Sequence, residues 1–214
     1  MAQNPAAMIV KVCGLREPAN IRAVDRLPVD LCGFIFYPRS PRCVPDDELH
    51  AEAVRNCRKP AVGVFVDAQP REMLRTAERF GLRWLQLHGD ESPETCAALR
   101  QRGYGIIKAI RIATAADLAA ARDYEGCADY LLFDTRCDGY GGSGRRFDWT
   151  VLDAYTGNTP FLVSGGLDAE CAEAVKRFAH PRFAGVDLNS GFETGPAVKD
   201  AVKLEKFIPK IQQS

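Results

Sequence analysis

Eight short runs rich in β-branched, leucine and aromatic residues alternate with eight helical patterns along this chain, and that alternation limits the fold more than any single motif. The runs fall at about 8–13, 31–36, 61–66, 83–87, 105–110, 130–134, 160–164 and 184–188. Helical patterns lie between and after them, at about 17–26, 45–57, 70–79, 92–101, 115–122, 148–153, 168–179 and 196–208. Helix starts carry recognisable punctuation in Pro45-Asp46-Asp47, Ser92-Pro93-Glu94 and Asp168. A short polar side chain there can accept from an unpaired backbone N–H, and proline's fixed φ suits a first helical turn. Strands separated by helices of this length pair in parallel through right-handed crossovers. Eight such units predict an α/β fold, a closed (β/α)8 TIM barrel, ahead of an open doubly wound sheet. No Gly-x-Gly-x-x-Gly follows the first run, which lowers the dinucleotide-binding alternative. No linker or composition shift divides the chain, so residues 8–214 read as a single barrel domain and residues 1–7 as a disordered tail.

Composition narrows the partners. Lys+Arg and Asp+Glu each number 28, so the chain carries no net charge. A broad electrostatic surface for nucleic acid or anionic lipid is not expected. No apolar run approaches the roughly 20 residues needed to cross a bilayer, and residues 1–7 lack the basic and apolar regions of a secretory leader. The eight cysteines, at 13, 32, 43, 57, 96, 127, 137 and 171, include no Cys-x-x-Cys pair. Structural zinc needs tight paired spacing, so neither a metal nor disulfides are expected; the thiols read as free in a reducing cytoplasm.

Residues two apart on a strand share a face. In the first run Ile9, Lys11 and Cys13 share one face and Met8, Val10 and Val12 the other. Apolar sets such as Leu85/Leu87, Leu131/Phe133 and Val186/Leu188 suit the helix layer, which turns Gln86/His88, Leu132/Asp134 and Gly185/Asp187 inward. Lys11, Lys108, Gln86, Asp134 and Asp187 inside one barrel are costly unless paired or used. They mark a site at the C-terminal rim, where this fold places its chemistry.

The seventh run ends in Ser164-Gly165-Gly166-Leu167 with a helix expected from Asp168, and the eighth in Asp187-Leu188-Asn189-Ser190-Gly191 with a helix expected after Pro196. Glycine lets backbone N–H groups approach a phosphate, and a helix N-terminus favours an anion. Either pair alone reads equally well as a tight turn; both at these two strands favour phosphate. Tyr140-Gly141-Gly142-Ser143-Gly144-Arg145-Arg146 reads as a flexible connection or as a cover over the rim. Arg39 and Arg42 follow the second run, where a guanidinium fork could grip an anion. His88 suits a supporting or structural role. Cys13, with its pKa drawn down by Lys11, suits a base, and Asp134, with its pKa raised by desolvation, suits an acid. A thiol and a carboxyl pushed apart in this way suggest proton transfer on a sugar phosphate.

Taken in order, several segments resemble the phosphoribosylanthranilate isomerase family. They are Lys11-Val12-Cys13-Gly14-Leu15, Gly33-Phe34-Ile35-Phe36, Ser40-Pro41-Arg42, Val62-Gly63-Val64-Phe65, Gln86-Leu87-His88-Gly89 and Leu132-Phe133-Asp134. Gly141-Gly142-Ser143-Gly144, Phe147-Asp148-Trp149, Ser164-Gly165-Gly166-Leu167, Gly185-Val186-Asp187, Ser190-Gly191 and Lys199-Asp200 complete the set. The resemblance implies an Amadori rearrangement of N-(5-phosphoribosyl)anthranilate in tryptophan biosynthesis, with Asp134 as acid and Cys13 as base. It implies that Arg42 meets the anthranilate carboxylate and that Gly165, Gly166, Ser190 and Gly191 hold the phosphate, with Gln86, His88 and Asp187 also lining the site. No cofactor is implied. A phosphosugar substrate and a monomer, or else a homodimer, complete the expectation. A metal-dependent epimerase, an indole-glycerol-phosphate synthase and a thiol redox protein are the competing readings. The chain offers few histidines at strand tips, no lysine–glutamate rim pair and no resolving cysteine near Cys13 in sequence.

Overall fold

The computed structural model describes residues 8–135 and 149–212. The expectations placed on residues 1–7 and on Tyr140–Arg146 lie outside the described residues. Eight parallel strands close into a barrel in chain order: β1 Ile9–Val12, β2 Leu31–Ile35, β3 Ala61–Phe65, β4 Trp84–Leu87, β5 Gly105–Ile112, β6 Tyr130–Thr135, β7 Phe161–Ser164 and β8 Phe183–Leu188. The seam is β1 against β8, in the register Ile9↔Gly185, Val10↔Val186, Lys11↔Asp187 and Val12↔Leu188. The fold class expected from the alternation is the one found.

Helices α1 (Pro18–Val24), α2 (Glu48–Arg55), α3 (Pro70–Phe80), α4 (Pro93–Gln101), α5 (Ala172–Arg177) and α6 (Ala201–Gln212) stand outside, with 3₁₀ stretches at Ala115–Tyr124 and Trp149–Ala154 after β5 and β6. Proline opens α1, α3 and α4, while Asp47 and Ser92 accept from the backbone N–H of His50 and Thr95. No helix among the described residues is long and apolar enough to cross a membrane.

Strand alternation sorts the core into two layers. Val10, Val12, Leu85, Leu87, Leu131, Phe133, Phe161, Val186 and Leu188 face the helices. Leu31, Val62, Ile107, Ala109 and Leu132 fill the barrel, with Ile9, Trp84 and Tyr130 packed below. Fully burying one such large apolar side chain contributes about 1.5–3 kcal/mol.

Three expectations need correction. Lys108 is not inside the barrel: it lies between Ile106 and Ile110, which belong to the outer layer, and its ammonium turns to the loop after β4. The helix after β7 begins at Ala172 rather than near Asp168, and it is only six residues long. The helix after Pro196 begins at Ala201, because Glu193–Gly195 (β9) pairs antiparallel with Val198–Lys199 (β10) and Ala197 turns the corner at φ +66°. Proline has no N–H to give that ladder, so it fits the turn.

Candidate active site at the barrel rim

Cys13 follows β1 directly, its N–H donating to Leu188 O of β8 at 2.8 Å. Its side chain is only 3% exposed. Gly33 of β2 makes room for it: a Cβ there would stand 2.8 Å from Cys13 Sγ and 3.0 Å from Lys11 Nζ. Lys11 Nζ in turn donates to Asp187 Oδ1 at 2.8 Å, a wholly buried ion pair across the seam. Ser164 Oγ supports the other oxygen, Oδ2, at 3.4 Å.

Burial pushes the Cys13 pKa up, Lys11 pulls it down and Asp187 pushes it up again, and the net result lies above the ordinary thiol value. Burial would lower Lys11, yet Asp187 and Cys13 outweigh it and hold the ammonium firmly charged. The expectation that Lys11 draws the thiol toward neutrality is thus overturned. Burial is the largest influence on the thiol, and the Asp187 carboxylate adds to it.

Three strands round the barrel from Cys13, Asp134 lies on the inward face of β6, beside Ser164 in register. His88 Nε2 is 3.3 Å from Asp134 Oδ2, and Gln86 Nε2 is 2.8 Å from His88 Nδ1. A Gln86 amide that donates to Nδ1 selects the tautomer whose ring proton is on Nε2, facing the Asp134 carboxyl. Gln86 is fully buried beneath this contact, and among the described residues its Oε1 has no hydrogen-bond partner.

Between β6, β7 and β8 opens a cavity of about 130 Å³, lined by Asp134, Ser164, Gly165, Gly166, Leu167, Asp187, Asn189 and Ser190. Gly165 and Gly166 adopt φ of +95° and +66°, a left-handed backbone that side chains resist. Gly191 lies behind this loop, where a Cβ would meet Leu167 O at 2.0 Å. The two helices expected here, from Asp168 and after Pro196, do not flank the cavity; a single 3₁₀ turn, Ser190–Phe192, starts at its edge instead.

Of the two arginines after β2, Arg39 is exposed and turns over the Tyr37 ring. Arg42 reaches inward and grips Glu193 with both Nε (2.8 Å) and Nη2 (2.6 Å). Lys199, buried beside it, donates to Glu193 Oε1 at 2.5 Å and Asn189 Oδ1 at 2.7 Å. Burial opposes the charge on Glu193, but Arg42 and Lys199 hold its carboxyl below the usual range. This cluster packs against Gly14, next to Cys13, and Lys199 acts on the thiol electrostatically. Sequence reasoning missed Glu193 and the reach of Lys199, since neither lies on a barrel strand. Among the described residues no group of three His, Cys, Asp or Glu side chains is placed to hold a metal ion.

Fold and rim together define a (β/α)8 barrel with a thiol and a carboxylate at its mouth and a glycine-rich pocket between strands six and eight. The model of the family described as N-(5'-phosphoribosyl)anthranilate (PRA) isomerase matches residues 10–210. N-(5'-phosphoribosyl)anthranilate isomerase of Parabacteroides distasonis is 55% identical over 206 residues, covering 95% of this chain and 93% of that protein. The crystal structure of phosphoribosyl anthranilate isomerase from Thermotoga maritima superposes with a TM-score of 0.80 at 31% identity, covering 95% of this chain and 98% of that one. A further isomerase structure, in complex with reduced 1-(o-carboxyphenylamino)-1-deoxyribulose 5-phosphate, matches with a TM-score of 0.78 at 28% identity, over 95% of this chain and 98% of that one. The chain belongs to the phosphoribosylanthranilate isomerase family and is an isomerase of tryptophan biosynthesis.

Proposed function

We propose that this enzyme converts N-(5-phosphoribosyl)anthranilate to 1-(2-carboxyphenylamino)-1-deoxyribulose 5-phosphate by an Amadori rearrangement, in the cytoplasm. Asp134 gives a proton to the furanose ring oxygen as the C1–O bond breaks, and the anthranilate nitrogen's lone pair forms the C1=N bond of the imine. Cys13, as thiolate, then takes the C2 proton, and the electron pair moves toward nitrogen to give an enolamine. Ketonisation at C2, with a proton added at C1, completes an isomerisation that needs no outside oxidant or reductant. Because the substrate's own nitrogen is the electron sink, the route calls for no metal or organic cofactor.

The observation that carries this reading is the placement of a buried thiol just past the end of β1 and an inward carboxylate on β6, with the pocket of Ser164, Gly165, Gly166 and Ser190 beside the latter. That pocket suits the phosphate, with Gly191 shaping the loop and Asp187 fixing Lys11. His88, steadied by Gln86, orients the acid. Arg42 takes the anthranilate carboxylate through the edge that Glu193 leaves open. The test is a fluorescence assay following loss of phosphoribosylanthranilate with EDTA present. Turnover unaffected by EDTA is expected; no turnover by the folded protein, or loss on chelation, would sink the reading.

A further inference from the structure

Lys108 is the one barrel-strand lysine that the proton transfers leave unexplained. It is 2% exposed, on the outer face of β5, and burying an ammonium there is costly unless its bonds are all satisfied. They are satisfied by the loop after β4. Its Nζ donates to Leu87 O at 3.2 Å, Gly89 O at 2.6 Å and Glu91 Oε2 at 3.2 Å, and lies 5.3 Å from the centre of the Tyr124 ring.

Leu87 and Gly89 are the residues on either side of His88. Glu91, itself 7% exposed, accepts from Gly89 N at 3.0 Å and Asp67 N at 2.9 Å, while Tyr124 Oη donates to Glu91 O at 2.8 Å. The backbone on both sides of the histidine is thus tied to one buried ion pair, which adds to the bonds from His88 N to Phe65 O at 2.8 Å and from Asp90 N to Asp67 Oδ1 at 2.7 Å. On its other side the same loop borders a cavity of about 350 Å³ whose lining includes His88, Gly89, Asp90, Lys108, Arg111 and Tyr124.

We propose that Lys108 and Glu91 are positioning residues for the proton donor: by clamping the backbone around His88, they hold its Nε2–H against Asp134 and keep that carboxyl aimed at the ring oxygen. This rests on the acid role assigned to Asp134. Neither residue touches the pocket between β6 and β8, so their effect on turnover passes through His88.

The test compares Lys108→Met and Glu91→Gln with the wild type and with Val175→Ala, a buried α5 change remote from the clamp. Glu91→Gln turns an amide NH2 toward either Gly89 N or Asp67 N, so it loosens the loop while nearly keeping side-chain volume. In folded Lys108→Met and Glu91→Gln, kcat should fall roughly tenfold or more with KM within about threefold. The limb of the pH profile set by the acid should move, and the His88 imidazole ¹⁵N shifts should lose their Nε2–H signature. Val175→Ala should lower the melting temperature and move none of these. Unchanged His88 shifts and an unchanged pH profile in either folded clamp variant would overturn the proposal. So would a wild-type imidazole that populates both neutral tautomers, a measurement that stands even if both variants fail to fold. Absence of isomerase turnover in the wild type would instead strike the proposed reaction and leave the His88 spectra as they are.

Discussion

Lys11 Nζ lies 2.8 Å from Asp187 Oδ1, joining the first strand of the barrel to the last through two side chains that are 0% and 4% exposed. The pair sits directly beneath Cys13 and decides how much positive charge the thiol feels. A lysine without this partner would draw the thiol toward the thiolate. Burial first, and Asp187 with it, outweighs Lys11, and the thiol keeps its proton more tightly than a free cysteine does.

Breaking the pair should be expensive. Asp187→Asn strands a buried ammonium, and Lys11→Met strands a carboxylate that, among the described residues, retains only Ser164 as a side-chain donor. Each is expected to cost about 3–5 kcal/mol of stability, measured by urea unfolding near neutral pH. A loss below about 1 kcal/mol would mean the pair is solvated like a surface one.

The thiol's raised pKa has a definite sign in kinetics. Cys13 is protonated near pH 7, so its thiolate fraction, and with it kcat/KM, should climb as pH rises through and above the free-cysteine value of about 8.5. The folded state binds this proton more tightly than the unfolded chain. Its contribution to stability is therefore full below the unfolded pKa and is lost as pH rises through the folded one. Iodoacetamide labelling of Cys13 across pH 6–10 checks the same titration. Fast labelling at pH 7 would refute it.

Cys13→Ser and Asp134→Asn should each fold and lose roughly 10²–10⁴-fold in kcat, the usual worth of a positioned acid or base. Circular dichroism and steady-state assays separate loss of fold from loss of chemistry. Near-normal turnover in either folded variant removes that residue from its role.

Arg42→Ala should weaken binding more than turnover. A charged hydrogen bond to a carboxylate contributes about 1.5–3 kcal/mol, so KM should rise tenfold or more while kcat changes less. Isothermal titration with an anthranilate-bearing product analogue measures this directly, and an unchanged affinity would exclude Arg42 as the carboxylate's partner.

Asp25, at the opposite end of the barrel from the rim, should govern part of the acid stability. Burial works against its charge, but hydrogen bonds from Arg58, Cys57 and the Lys59 N–H hold its carboxyl below the usual aspartate range. Such a group stabilises the fold above its unfolded pKa, and that contribution is lost as pH falls through the folded value. Asp25→Asn is expected to cost about 1–3 kcal/mol at pH 7, mostly from backbone donors left facing an amide, since Arg58 is largely exposed. The difference from wild type should shrink toward pH 3 in urea titrations. A pH-independent difference would count against it.

The barrel and its inward pairs were legible because strand alternation is a local property. Lys11 and Asp187 could both be turned inward from the strand pattern, and the Leu131–Asp134 run announced its own polarity. Lys108 broke the rule because a lysine on the apolar face looks like an inward residue until its partner, Glu91, is seen; Glu91 lies seventeen residues earlier, in a loop. Glu193 and the turn at Ala197 were hidden for a related reason. The segment carries helix-start punctuation at Pro196, but the pairing of β9 with β10 outweighs it. Contacts between loops leave no periodic trace in sequence.

The β1–β8 seam also sets when the site can exist. Lys11 waits for a carboxylate 176 residues further along, and the pocket loops arrive with the same last two strands. The entropy of closing so long a loop rises only slowly with its length, so the seam is inexpensive at equilibrium but slow to reach, as non-local contacts are. A chain emerging from the ribosome therefore exposes its thiol early and acquires the anion pocket late. Until strand eight docks, the polypeptide holds a reactive sulfur with no assembled site around it. Completion of synthesis, rather than the appearance of any one side chain, is what turns activity on.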